Sequence, residues 1–121
     1  MNMPTLLADE TRELLGLLAY VYLENNRPEK TIVLLKALQA LGQADARQLA
    51  TLALAQLRAG KPDTALSTLD QLAMQGSVDA PFHLIRSQTL QALARSDEAA
   101  AAMRAYVALR PAAAQPRSES T

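Results

Sequence analysis

The chain contains no cysteine, so no disulfide can staple it and no thiolate can hold a metal; a reducing compartment fits that composition. It has a single histidine, His83, and no second ligand type sits at metal spacing from it. Aromatic residues are only 3% of the chain, while apolar residues reach 50%, mostly Leu and Ala, which favours helix. An excess of either charge is missing too: 12 basic and 12 acidic side chains give a formal net charge of zero. Nucleic acid and anionic membranes both require a concentrated basic field, so neither is expected as the main partner. Long hydrophobic runs are absent, since the longest, Leu14 to Leu23, has ten residues and cannot span a bilayer as a helix. The start, Met1-Asn2-Met3-Pro4-Thr5, lacks the basic region of a secretion signal, and a soluble cytoplasmic protein is the expectation. At 121 residues, one domain with a small core is expected.

What is present is a turn written three times at one fixed spacing. Asn26-Arg27-Pro28-Glu29-Lys30-Thr31 is followed by Gly60-Lys61-Pro62-Asp63-Thr64-Ala65, and the same interval later by Ala94-Arg95-Ser96-Asp97-Glu98-Ala99. Pro28 and Pro62 suit the first position of a helix, where the missing N–H costs nothing. Ser96 is expected to cap the third copy with its hydroxyl. The acids at 29, 63, 97 and 98 then fall in first turns, where the helix dipole favours negative charge. The pattern predicts helices near 10–25, 28–41, 46–59, 62–75, 80–94 and 96–109. Gly42, Gly60 and Gly76 end three of them, Asp45 and Gln48 form a capping box, and Asp79 caps the fifth. Residues 1–9 read as an N-terminal arm, 10–111 as the folded unit, and 112–121, all Ala, Pro, Gln, Ser, Thr and charge, as a disordered tail.

A helix pair recurring at this interval resembles the tetratricopeptide repeat, here as 12–45, 46–79 and 80–113. That repeat wants bulky residues at its positions 4, 7 and 11 and small ones at 8 and 20. The first copy offers Leu15, Leu18, Tyr22, Ala19 and Thr31, the second Leu49, Leu52, Gln56, Ala53 and Ala65. The third offers His83, Arg86, Leu90, Ser87 and Ala99, departing most at Arg86 and later at Tyr106, with Pro111 where the family places a proline. The resemblance implies an all-α fold, a right-handed solenoid of three tetratricopeptide helix pairs, first helices lining a concave face and second helices the convex side. The Ala-rich last helix leaves that end of the stack short of cover without a partner.

Catalysis would need a convergent set of polar groups, and none is legible. His83 reads as a packing residue, Gly60-Lys61 as a turn without the glycines of a phosphate loop, and Glu10, Glu13, Asp97 and Glu98 as solvated helix starts. No enzyme activity, cofactor or metal is expected. The opening helix is different, because Leu14-Leu15-Gly16-Leu17-Leu18-Ala19-Tyr20-Val21-Tyr22-Leu23 is apolar on every side and must be covered on every side. Leu15, Leu18, Ala19 and Tyr22 are assigned to the stack. Gly16, Leu17, Tyr20 and Leu23 are expected on the concave face, joined by Ala50, Leu54, Leu57 and Leu84. Glu13, Arg47, Arg58 and Gln88 would rim that groove. A contiguous apolar groove of this kind marks a binding site and suits the apolar face of an amphipathic helix. Cover by the arm, with Leu6 and Leu7, or self-association through uncapped ends as a scaffold module, would also satisfy it. Tetratricopeptide domains that grip a C-terminal carboxylate resemble one another in using Lys and Asn on the concave face. Gly16, Tyr20, Ala50, Leu54, Leu84 and Gln88 stand here instead, so no such clamp can be assembled.

The length, the Leu14–Leu23 helix, the segment Thr31-Ile32-Val33-Leu34-Leu35-Lys36-Ala37-Leu38-Gln39-Ala40-Leu41 and the short polar tail resemble the three-repeat chaperones of bacterial type III secretion systems. Among these the chain is most similar to the YscY (SctY) family, with the YscG-type needle co-chaperones close in size and architecture. The resemblance, over residues 10 to 111, implies a cytoplasmic bacterial chaperone in a heterodimer with a small exported early substrate, the X-type protein. It also implies delivery of that complex to the cytoplasmic domain of the export gate.

Overall fold

The computed structural model describes residues 8–110. Among them are six helices and no strand: α1 (Asp9–Glu24), α2 (Pro28–Ala40), α3 (Ala46–Arg58), α4 (Pro62–Met74), α5 (Ala80–Ala92) and α6 (Ser96–Leu109). The arm with Leu6 and Leu7, Pro111 and the tail 112–121 lie outside the described residues. None of these helices is long and apolar enough to cross a membrane.

Local chemistry sets each boundary. At α3 the Asp45 carboxylate accepts from the Gln48 N–H at 2.8 Å, and the Gln48 side-chain oxygen accepts from the Asp45 N–H at 3.0 Å. At α5 the Asp79 carboxylate accepts from the Phe82 N–H at 3.1 Å. Helices α2 and α4 open on Pro28 and Pro62 with no side-chain cap. Helix α6 departs from the expectation that Ser96 caps it: Ser96 is the first helical residue and Arg95 occupies the cap position. Ser96 stands in the register of Pro28 and Pro62, one residue inside the helix, where a hydroxyl is past the amides it would have to reach. An Arg95 to Glu98 hydrogen bond spans this helix start instead.

The three turns inside the helix pairs share one geometry. Asn26, Gly60 and Ala94 all adopt a left-handed backbone, with φ of 61°, 80° and 61°. The next amide in each case returns to a carbonyl five residues back: Arg27 to Tyr22 at 2.8 Å, Lys61 to Gln56 at 2.9 Å, and Arg95 to Leu90 at 2.9 Å. This is a Schellman closure, which satisfies carbonyls left free at a helix end. Because Ala94 belongs to the turn, α5 stops at Ala92, two residues before its predicted end. The turns between pairs use the same closure at Gly42 and Gly76, through Gln43 to Leu38 and Ser77 to Leu72, both at 2.9 Å.

The helices pack in series. Each consecutive pair is in contact, α3 also touches α1 and α5, and no helix reaches beyond its second neighbour. The main core joins Ala19, Leu35, Leu38, Leu49, Leu52, Ala53, Leu69, Leu72, Phe82 and Ile85; a smaller cluster of Leu90, Ala99 and Ala102 lies in the last pair. Small buried residues let paired helices approach at Ala19 and Thr31, Ala53 and Ala65, and Ser87 and Ala99. In the first pair Thr31 Oγ1 donates to the Ala19 carbonyl at 2.7 Å, and in the third Ser87 Oγ donates to the Ala99 carbonyl at 3.1 Å. The bond runs from opposite helices in the two cases. The middle pair has alanine at both positions and moves its polar link one turn on, where Thr68 Oγ1 donates to Gln56 Oε1 at 2.7 Å.

One core assignment is corrected. Leu18 was expected inside the stack, yet it is 39% exposed, whereas Leu52, its equivalent in the next repeat, is 0% exposed. Leu52 is covered by the helix pair before it, and among the described residues no pair precedes α1.

Candidate functional site

A cleft of about 560 Å³ lies between α1 and α3. Glu13, Gly16, Leu17 and Tyr20 line it from α1, and Arg47, Gln48 and Thr51 from α3, with Asp45 at the mouth and Leu35 beneath. Leu17 and Tyr20 are 60% and 49% exposed, so apolar surface stands open beside the cleft. The Glu24 carboxylate follows Tyr20 one turn on along α1. That carboxylate, as a hydrogen-bond acceptor first and then by its charge, raises the phenol above its ordinary pKa, while Arg58 pulls the other way. Arg58 therefore shares the field of Tyr20 across the two helices.

Gly16 is what lets the α3 cap enter this site. A Cβ on Gly16 would lie 2.5 Å from the Gln48 side-chain nitrogen, so the bare glycine makes room for Gln48. The capping box thus holds Gln48 by its oxygen while its nitrogen end rests against α1. Asp45, Gln48 and Thr51 were not foreseen as site residues. The capping box was legible, but its second role as the cleft wall depends on which helix it faces.

The groove expected from sequence is brought together in part. Glu13, Gly16, Leu17, Tyr20 and Arg47 meet in the cleft as expected. Leu23 does not: it is 2% exposed and belongs to the buried side of α1, so it offers nothing to a ligand. Around the helix it falls between Gly16 and the buried Ala19, on the side that packs against α2 and α3 and away from Leu17. Ala50 and Leu54 are half-buried and pack against the main core, and Leu57 and Leu84 are half-buried too. Arg47 and Ala50 line a second, smaller hollow of about 210 Å³ with Ser77, Asp79, Pro81 and Phe82. Leu54, Leu57, Arg58, Leu84 and Gln88 line neither hollow.

His83 stacks edge-on against Phe82, with ring centroids 5.1 Å apart and planes at 82°, consistent with a packing side chain. Lys30 Nζ lies 5.8 Å from the Tyr22 ring centroid, a cation–π contact that fixes Tyr22 at the α1–α2 turn. No model of a protein family matches the chain, and no curated protein matches it either.

Proposed function

We propose that the chain is a non-enzymatic binding module, a right-handed solenoid of three tetratricopeptide repeats that shelters an amphipathic helix of a small partner protein. The solenoid reading is supported by the evenly spaced left-handed turns at Asn26, Gly60 and Ala94 and by serial helix contacts. The observation that carries the binding reading is the exposure of Leu17 and Tyr20 over the α1–α3 cleft. Large apolar side chains left open beside a concavity are where helix-in-groove recognition gains its affinity. Glu13, Arg47 and Arg58 around them would set the orientation of the incoming helix by charge. The resemblance to the YscY (SctY) chaperones names the partner class: a small exported early substrate of a type III secretion system, held soluble in the bacterial cytoplasm and handed to the export gate. Ordering that helix costs free energy, and burying its apolar face against Leu17 and Tyr20 offsets it.

The test is co-purification from a type III-secreting host through a sizing column, with the bound protein identified by mass. Leu17→Asp and Tyr20→Asp are expected to abolish partner binding while the free protein keeps its helical circular dichroism. Leu54 is unsuitable for this purpose, because it packs against the core and an aspartate there would disturb the fold. Undiminished binding by a well-folded Leu17→Asp/Tyr20→Asp double variant would remove the cleft from consideration.

A further inference from the structure

Each end of the helix array leaves exposed apolar side chains at positions that are buried in the inner repeats. On α1, Leu14, Leu18 and Val21 are exposed on one stripe. Their counterparts in the second repeat, Gln48, Leu52 and Ala55, are all buried, with α3 packed against α1 and α2. In the third repeat Phe82 and Thr89 are buried again at equivalent positions, with α5 packed against α3 and α4. The stripe is therefore the surface that a preceding helix pair covers in the later repeats, fully in the second and, at Arg86, only partly in the third. At the other end, Met103 on α6 is 38% exposed, while Leu35 and Leu69 in the same register are 0% exposed under the pair that follows them. Tyr106 is likewise only half-buried where Leu38 and Leu72 are fully covered.

We infer that the occupant of the α1 stripe is α6 of a second copy of this chain, so that molecules stack head to tail and continue the internal repeat. Charge favours this partner. Helix α1 carries Asp9, Glu10, Glu13 and Glu24 against Arg12 alone, and Arg12 is paired with Asp9 at 3.0 Å. The acids of α6, Asp97 and Glu98, are confined to its first turn, and from Ala99 to Arg110 the only charges are Arg104 and Arg110. Stacking α6 on α1 sets a basic end against an acidic one, whereas pairing α1 with α1 of another copy would bring two acidic helices together. The contact is heterologous: the surface used on one copy differs from that used on the next, so it does not close on itself and extends with concentration. This inference does not rest on the cleft, whose Leu17 and Tyr20 are separate from the stripe.

Sedimentation of the full chain over a range of concentrations, with Leu14→Glu marking one end and Met103→Glu the other, tests it. Wild type is expected to exceed twice the 13.0 kDa monomer mass as concentration rises, and each variant alone is expected to stay monomeric. An equimolar mixture is expected to form a one-to-one dimer and stop, because each variant keeps the end that the other has lost. Formation of that dimer also shows that both variants are folded. Leu14→Ser and Met103→Ser, which add no charge, should give the same pattern with weaker blocks. A wild type monomeric at all concentrations overturns the inference. So does a Met103→Glu variant that still dimerises, which would mean pairing through α1 alone, or a mixture of variants in which no dimer forms.

Discussion

Replacing Ala94 by glycine is expected to stabilise the protein. Ala94 holds φ at 61°, in the region where an L-residue's Cβ crowds the following carbonyl, at a cost of about 1–2 kcal/mol relative to glycine. Glycine enlarges the unfolded ensemble and returns about 0.4–1 kcal/mol of that gain. Ala94 is exposed, so no packing is lost with its methyl group. The net expectation is a gain of about 0.5–1 kcal/mol, or about 2–5 °C in melting temperature for a chain of this size. The mirror experiment is Gly60→Ala, at the same turn one repeat earlier, where φ is 80° and a new Cβ meets nothing within 4 Å. Its cost is then the same balance with the sign reversed, about 0.5–1 kcal/mol. Urea unfolding followed by helical circular dichroism reads both, with the midpoint moving and the slope unchanged if only stability changes. If Ala94→Gly left the midpoint unmoved while Gly60→Ala lowered it, equivalence of the turns would be refuted; if neither moved it, the strain argument itself would be.

Leu52→Ala should cost about 2–5 kcal/mol, since Leu52 is fully buried, whereas Leu18→Ala in the same register should cost about 0.5 kcal/mol at concentrations where the protein is monomeric; equal costs in urea unfolding would contradict the open-end geometry. Thr31→Val removes the 2.7 Å bond to the Ala19 carbonyl and should cost about 1 kcal/mol, with Thr31→Ser recovering most of it in the same assay. The hydrogen bond from Arg95 lowers the Glu98 carboxyl below its ordinary pKa. A lowered folded-state value means the contribution is fully present above the unfolded carboxylate pKa and is lost as pH falls through the folded one. Both side chains are about half exposed, so the effect is small, and Glu98→Gln should only flatten the acid limb of the stability profile; an unchanged acid limb would show the pair contributes nothing.

Periodicity and punctuation carried most of the fold. Pro28 and Pro62 act through their own rings, and Asp45 and Asp79 through carboxylates that reach only the next turn, so the sequence alone placed the starts of α2 to α5 where the structure has them. Ser96 failed because a capping residue type was read without its register. The cleft was legible on the α1 side, through Gly16, Leu17 and Tyr20, because an all-apolar helix announces surplus surface. What could not be read was how far α1 is rotated against its neighbours. That rotation buries Leu23, whereas Leu18 is exposed because among the described residues no pair precedes α1, and nothing in a leucine itself distinguishes the two. Asp45 and Gln48 were hidden for another reason: a complete local role as a capping box left no surplus signal for a second one.

Helix α1 shows why apolar composition and burial separate at the end of an array. Its ten-residue apolar run is the longest in the chain, yet only Ala19 and Leu23 in it are fully buried, against six residues in α3. The other terminal helix behaves alike, with only Ala99 and Ala102 buried in α6. In a serial array each helix pair gains stability from its neighbours, and a terminal pair has only one. A terminal helix lined with leucine is thus held by less than its composition could supply. That shortfall is what a partner can restore: anything binding the folded ends or the cleft, but not the unfolded chain, stabilises by mass action. The same side chains that leave α1 weakly held in the isolated molecule are those that make it respond most to being covered.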